Sequence, residues 1–162
     1  MALGAHAVGV LLEALPGDDP ANADIFAVAA VHPASSVRAR VASKKRLPLN
    51  AVLTLAADPS AAVRCATLLH PELRRVAKEG LLLRMMASDP AVASVVARML
   101  NRFELASIAE LCEAVAVHKD PDVRLAAASS DDTPRMMLNR LSKDPSAEVA
   151  AAATRSLLHG FD

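Results

Sequence analysis

The sequence predicts an all-α protein built as a solenoid of stacked helix pairs, and three observations carry that prediction. Alanine fills 35 of 162 positions, and alanine is the best helix former and a poor strand former, which excludes an all-β fold. The ten prolines, at 16, 20, 33, 48, 59, 71, 90, 121, 134 and 145, separate alanine- and leucine-rich runs of roughly eight to sixteen residues. Proline fits the first turn of a helix and breaks its interior, so each one marks a helix boundary. The third observation is that the runs repeat. With 53% hydrophobic and 22% charged residues, the bulk of the chain is not disordered. Its length is that of a single domain, residues 1–162. Trp and Tyr are missing and only Phe26, Phe103 and Phe161 are aromatic, so the core is drawn from Ala, Leu, Val and Met.

The first element is a helix over about 3–14, apolar from Ala2 to Leu15 and ended by Pro16-Gly17-Asp18-Asp19-Pro20. It is too short to span a bilayer and Glu13 interrupts it. No base precedes Arg38, whereas a signal peptide opens on positive charge. The sequence therefore reads as cytoplasmic, and this helix as a cap, a dimer contact or a docking element. Asp-Pro and His-Pro steps then open further helices, acting as cap and first helical position. They run over about 22–31, 34–45, 49–57, 60–69, 72–79, 81–88, 91–100, 103–118, 122–129, 135–142 and 146–158.

Self-similarity organises these helices. HPASSVRARVA (32–42), DPSAAVRCATL (58–68), HKDPDVRLAAA (118–128) and DPSAEVAAAAT (144–154) align, with a valine five residues after the capping His or Asp: Val37, Val63, Val123 and Val149. DPAVASVVARML from Asp89 supplies a further repeat, its valine displaced by one to Val95. Repeats thus begin near 32, 58, 89, 118 and 144, each followed by a second helical half such as LPLNAVLTLAA (47–57) or TPRMMLNRLSK (133–143). Such repeats cannot bury their apolar faces singly and must stack on one another, with 1–31 and 155–162 as the capping ends.

Asp-Pro, then Val-Arg, then alanines, then Thr-Pro and leucines resembles the leucine-rich repeat variant, a relative of the HEAT repeat. The likeness covers about 32–154 and is best from His118 to Ala153. It implies a right-handed α-solenoid of about five repeats, with some second helices short and of the 3₁₀ kind. The repeats at Asp58 and Asp89 are more HEAT-like, Asp89 lacks Val-Arg, and Ala150 replaces the arginine of the last repeat. Some members of the variant family carry a cysteine-rich iron–sulfur segment ahead of the repeats. This chain has none, so the resemblance implies no cofactor. HEAT-like stacks also include alkylpurine DNA glycosylases that hold DNA in a basic concave groove.

Charge is balanced overall, 18 bases against 18 acids, but it is unevenly distributed. Residues 1–30 carry four acids and no base, residues 31–102 twelve bases against four acids, and residues 103–162 six bases against ten acids. The middle is therefore basic and the ends acidic. Its candidate contact residues are Arg38, Lys44, Lys45, Arg46, Arg74, Arg75 and Lys78, with Arg74 expected beside Lys78 on one helix as a like-charge pair. Arg38, Arg64 and Arg124 share one repeat position, directly after the valine. The structural reading has them bonding the capping acid or turn carbonyls of a neighbouring repeat; the functional reading has them taking anions on a concave face.

No constellation of residues points to catalysis. His32, His70 and His118 stand at helix starts as caps, and neither His-x₃-His nor Cys-x₂-Cys occurs. Asp18-Asp19 and Asp131-Asp132 precede helices, where carboxylates cap. Cys65 and Cys112 read as reduced and buried. Met85-Met86 and Met136-Met137 read as core filling, one of each pair facing outward, or as an adaptable binding stripe. The expectation is a non-enzymatic scaffold whose concave, centrally basic surface meets an acidic protein partner, with no metal. A phosphate-directed nucleic-acid binder is the alternative, and an enzyme with a site assembled across repeats the second. The lack of stacking aromatics and a pI near 7.0 weigh against nucleic acid.

Overall fold

The computed structural model describes residues 4–159. All the regular structure there is helical: twelve α-helices and two 3₁₀ turns, with no strand among the described residues. The chain packs as two compact lobes, Met1–Arg74 and Arg75–Asp162. No helix among the described residues is long and apolar enough to cross a membrane.

The N-terminal lobe holds α1 (Ala5–Ala14), a 3₁₀ turn (Pro20–Asn22), α2 (Ala23–Ala29), α3 (Ser35–Ala42), α4 (Leu49–Ala56), α5 (Ala61–Leu68) and the start of α6 (Pro71–Val76). Helix α3 packs on α1, α2 and α5, and α4 packs on α3 and α5. The core between them is made of Leu12, Phe26, Val41, Val52, Leu55 and Leu68, all buried. Gly9 of α1 faces the Arg40 side chain of α3, and a Cβ there would stand 3.4 Å from Arg40 Nε, an ordinary van der Waals contact. Residues 1–3, where the first predicted helix would begin, lie outside the described residues.

The C-terminal lobe holds α7 (Glu79–Ser88), α8 (Pro90–Ala97), a 3₁₀ turn (Leu100–Arg102), α9 (Ala109–Ala116), α10 (Pro121–Ala128), α11 (Arg135–Leu141) and α12 (Ala147–His159). Helices α8, α10 and α12 pack successively on one another, and α9 packs on α7 and α11. Alternate helices of the chain thus meet. The part of the predicted tail at 160–162 lies outside the described residues, as does the side chain of His159.

The repeat valines Val37, Val63, Val123 and Val149 are each no more than 1% exposed, and full burial of a valine is worth about 1.5–3 kcal/mol. The repeat at Asp89 needs a correction of register. Val95 is half-buried, whereas Val92 is buried. The helix starts give the reason. Asp89 and Asp120 are N-caps with proline at the first helical position, whereas Asp58 stands two residues before the N-cap Ser60, so Asp89 corresponds to Asp120 and not to His118. The repeat therefore begins at Ala87, and Val92 is its valine.

Three further expectations change. The predicted helix over 103–118 starts only at Ala109: Phe103 is extended and buried, and Ser107 Oγ accepts from Ala109 N–H at 3.2 Å. Burial of one aromatic ring and a local serine bond override the helical propensity of the preceding residues. Arg74 and Lys78 do not share a helix, since α6 ends at Val76 and Lys78 is the N-cap of α7. Met85 and Met86 are both buried; of Met136 and Met137, only Met136 faces outward, at 77% exposed.

Candidate functional site

Four of the five repeats open on a side chain that accepts from the backbone N–H two residues on, just ahead of the first helix. His32 Nδ1 accepts from Ala34 N–H at 3.1 Å and His118 Nδ1 from Asp120 N–H at 3.2 Å. Asp58 and Asp144 do the same with a carboxylate oxygen, accepting from Ser60 and Ser146 N–H at 2.8 Å. His70 caps α6 in this way, accepting from Glu72 N–H at 3.2 Å, while its Nε2 lies 2.9 Å from the Lys44 carbonyl. With Nδ1 accepting, Nε2 is the nitrogen that donates, so the ring is neutral. Burial pushes its pKa down, in the same direction.

The repeat arginines bind back to these openings. Arg38 donates through Nη1 to the carbonyls of His32 and Pro33, at 2.7 and 2.8 Å. Its Nε and Nη2 form a fork on the Asp58 carboxylate, at 2.6 and 2.9 Å. Arg124 repeats the arrangement, through Nη1 to the His118 carbonyl at 2.6 Å and through Nε and Nη2 to Asp144 at 2.7 and 3.0 Å. One arginine thereby ties the start of its own repeat to the first residue of the next. The hydrogen bonds from Arg38 and Arg124 hold the Asp58 and Asp144 carboxyls below the usual carboxylate range. The same bonds raise both guanidinium pKa values.

Arg64 departs from this pattern. Its Nη1 makes the expected two bonds, to the carbonyls of Asp58 at 2.7 Å and Pro59 at 3.0 Å. Its Nε, however, is buried with no hydrogen-bond partner.

Of the seven candidate contact residues, Arg38 and Lys44 are committed to internal bonds. Lys44 Nζ donates to the carbonyls of Leu12, at 2.5 Å, and Leu15, at 2.9 Å, and lies 5.4 Å from the centre of the Phe26 ring. It thus serves the C-terminal carbonyls of α1 and a cation–π contact. Arg74 is half-buried, and its Nε too is buried without a partner. Lys45 and Arg46 are exposed in the N-terminal lobe, directly before α4, whose outer face shows Leu49 and Leu53. Arg75 and Lys78 are exposed in the C-terminal lobe, where with Glu79 and Glu104 they border a cleft of about 410 Å³. The Glu79 carboxylate there accepts from Leu111 N–H at 3.0 Å. The seven residues are thus divided between the lobes, three of them turned to internal structure.

Asp19 caps the 3₁₀ turn at Pro20, accepting from Ala21 N–H at 2.9 Å. Asp132 is not the cap expected of it, because it pairs with Arg102 instead. Cys65 and Cys112 are half-buried thiols rather than fully buried ones, and burial pushes the Cys112 thiol up. Among the described residues no group of three His, Cys, Asp or Glu side chains is placed to hold a metal ion. A second cleft, about 670 Å³, lies beside α11 and α12, with Ser129, Asp131, Arg135 and Arg155 at its edge. Sequence reasoning missed the difference between Arg64 and its two counterparts. The signal was present once the register is set by Val92, because Ala87 then stands where Asp58 and Asp144 stand.

Comparison with models of protein families, with curated proteins and with solved structures finds no match for this chain.

Proposed function

We propose that the chain is an α-solenoid of about five HEAT-like or leucine-rich-variant repeats, and that it works as a non-enzymatic scaffold for an acidic protein partner. The observation that supports this reading best is the exposed pair Lys45 and Arg46, next to the exposed Leu49 and Leu53. No ion pair engages either base among the described residues. Uncompensated positive charge beside exposed apolar side chains suits a protein surface that carries both acids and aliphatic groups. Arg75 and Lys78 extend the contact set, while Arg38, Lys44 and the buried part of Arg74 maintain the surface that presents it. The bonding of Arg38 and Arg124 favours the repeat reading, since one residue position makes the same bonds in both lobes.

Anisotropy titrations test this with labelled glutamate- and leucine-containing helical peptide, single-stranded DNA, duplex DNA and RNA, at low and physiological salt. The peptide is expected to bind, and the double variant Lys45→Glu/Arg46→Glu to lose that binding at least tenfold. Saturable oligonucleotide binding that falls steeply with salt, with no peptide binding, would overturn the scaffold reading in favour of phosphate recognition.

A further inference from the structure

The loop at 43–48 that carries Lys45 and Arg46 joins α3 to α4, and three groups anchor it to the rest of the N-terminal lobe. Arg46 N–H donates to the Gly17 carbonyl at 2.9 Å. Lys44 Nζ donates to the carbonyls of Leu12 and Leu15, and the Lys44 carbonyl accepts from His70 Nε2 at 2.9 Å. Of the groups in these bonds, only the imidazole changes charge between about pH 5 and 8.

His70 is 2% exposed, and both of its nitrogens are used. Nδ1 accepts from Glu72 N–H at 3.2 Å while Nε2 donates, an arrangement open to the neutral ring alone. A proton on Nδ1 would face the Glu72 N–H, donor against donor, on a ring shielded from water. The charges around it do not compensate. Glu72 and Arg74, both of α6, act in opposite directions, the first favouring the charged ring and the second opposing it. The loop adds only positive charge, from Lys44, Lys45 and Arg46. Helix α4 carries no charged residue. In α5 the one charged residue, Arg64, is turned to the Asp58 and Pro59 carbonyls at the far end of that helix, and in α3 Arg38 is bound to Asp58 and Arg40 to Glu13. Burial is the largest influence on the ring and lowers its pKa. Its contribution to the fold is therefore complete above its unfolded value, near pH 6.5, and is lost as pH falls through the lower folded value.

We propose that His70 is an acid-operated latch on this loop: protonation of Nδ1 expels the ring, frees the Lys44 carbonyl and the Glu72 N–H, and releases the segment that presents Lys45 and Arg46. That the release lowers partner affinity rests on the scaffold reading above, since bases on an unanchored loop lose more conformational freedom on binding. The latch itself is a property of the N-terminal lobe.

Amide and imidazole resonances of the ¹⁵N-labelled full chain are followed from pH 7.5 to 5, where the carboxyls of Asp58 and Asp144 stay ionised. The His70 ring and the amides of Lys45, Arg46 and Glu72 are expected to shift together, with one midpoint below about 6.5, while amides in the middle of α5 stay in place. The amide response should vanish in His70→Gln. Affinity for the acidic peptide at physiological salt should fall about threefold or more over the same range in the unmodified chain and stay level in His70→Gln. A His70 midpoint at or above about 6.5, a ring titration that leaves the Lys45 amide unmoved, a change spread evenly over the lobe, or the same amide response in His70→Gln would each overturn the latch. Level affinity alongside the expected amide response would overturn its link to binding. The amides need no ligand, so a peptide that binds at no pH refutes the scaffold reading and leaves the latch to be judged on them. Should His70→Gln fold poorly in a thermal melt, His70→Asn, which keeps an acceptor for Glu72 N–H, takes its place.

Discussion

Arg124 and Arg64 hold the same place in their repeats and are bonded differently. Arg124 grips its own repeat with one nitrogen and the next repeat's opening aspartate with the other two. Arg64 grips its own repeat alone. In the sequence the residue that opens the following repeat is aspartate at 144 and alanine at 87. One residue position thus closes on a carboxylate at Arg124 and leaves its Nε buried and unpartnered at Arg64.

The largest effect should come from breaking the closed member. Asp144→Ala removes the carboxylate under Arg124 and the cap on Ser146 N–H together, costing about 2–3 kcal/mol. A fall of roughly 5–10 °C in the thermal midpoint is expected by calorimetry. Acid should act next. The folded Asp58 and Asp144 carboxyls titrate below their unfolded value, which is near pH 3.9. Their contribution is therefore complete above that pH and is lost as pH falls through the depressed folded values. Thermal midpoints of Asp144→Asn should fall less steeply than those of the unmodified chain from about pH 4 downward. The smallest effect belongs to Arg64→Gln. It strands no carboxylate, so its cost should stay within about 1 kcal/mol, whereas Arg124→Gln, which orphans Asp144, should cost clearly more in the same denaturant titration.

Much of the helical order was legible from the punctuation of the chain. Prolines and capping residues placed twelve helices, and the structure has twelve among the described residues, because capping and proline sterics act within a few residues. The histidines ahead of helices were legible for the same reason, although only His70 bonds an N–H inside its helix, while His32 and His118 bond the N–H of the N-cap residue. The beginning of α9 was not: Phe103 forgoes a helical backbone to reach a buried position, and that trade depends on distant neighbours. The register at Asp89 was misplaced because an Asp-Pro step can stand at the first or the third residue of a repeat. DP opens the repeats at 58 and 144 but sits two residues in at 120, and the helix start and the burial of Val92 distinguish the two. The charged candidates were legible as charge and not as role. Lys44 and Lys45 are adjacent in sequence, yet one is bonded to α1 carbonyls and the other is exposed. The stacking role of Arg38 and Arg124 was legible from their recurrence; the isolation of Arg64 required the corrected register.

The reach of these bonds has a kinetic consequence. The fork on Asp58 and the fork on Asp144 each close a segment of 20 residues, and the bonds of Lys44 to Leu12, Glu79 to Leu111 and Ser130 to Arg98 each close one of 32. Loop-closure entropy grows only with the logarithm of length, so closures this short and this similar have nearly equal entropic costs. None of these closures is therefore favoured by chain entropy over the others as the first to form.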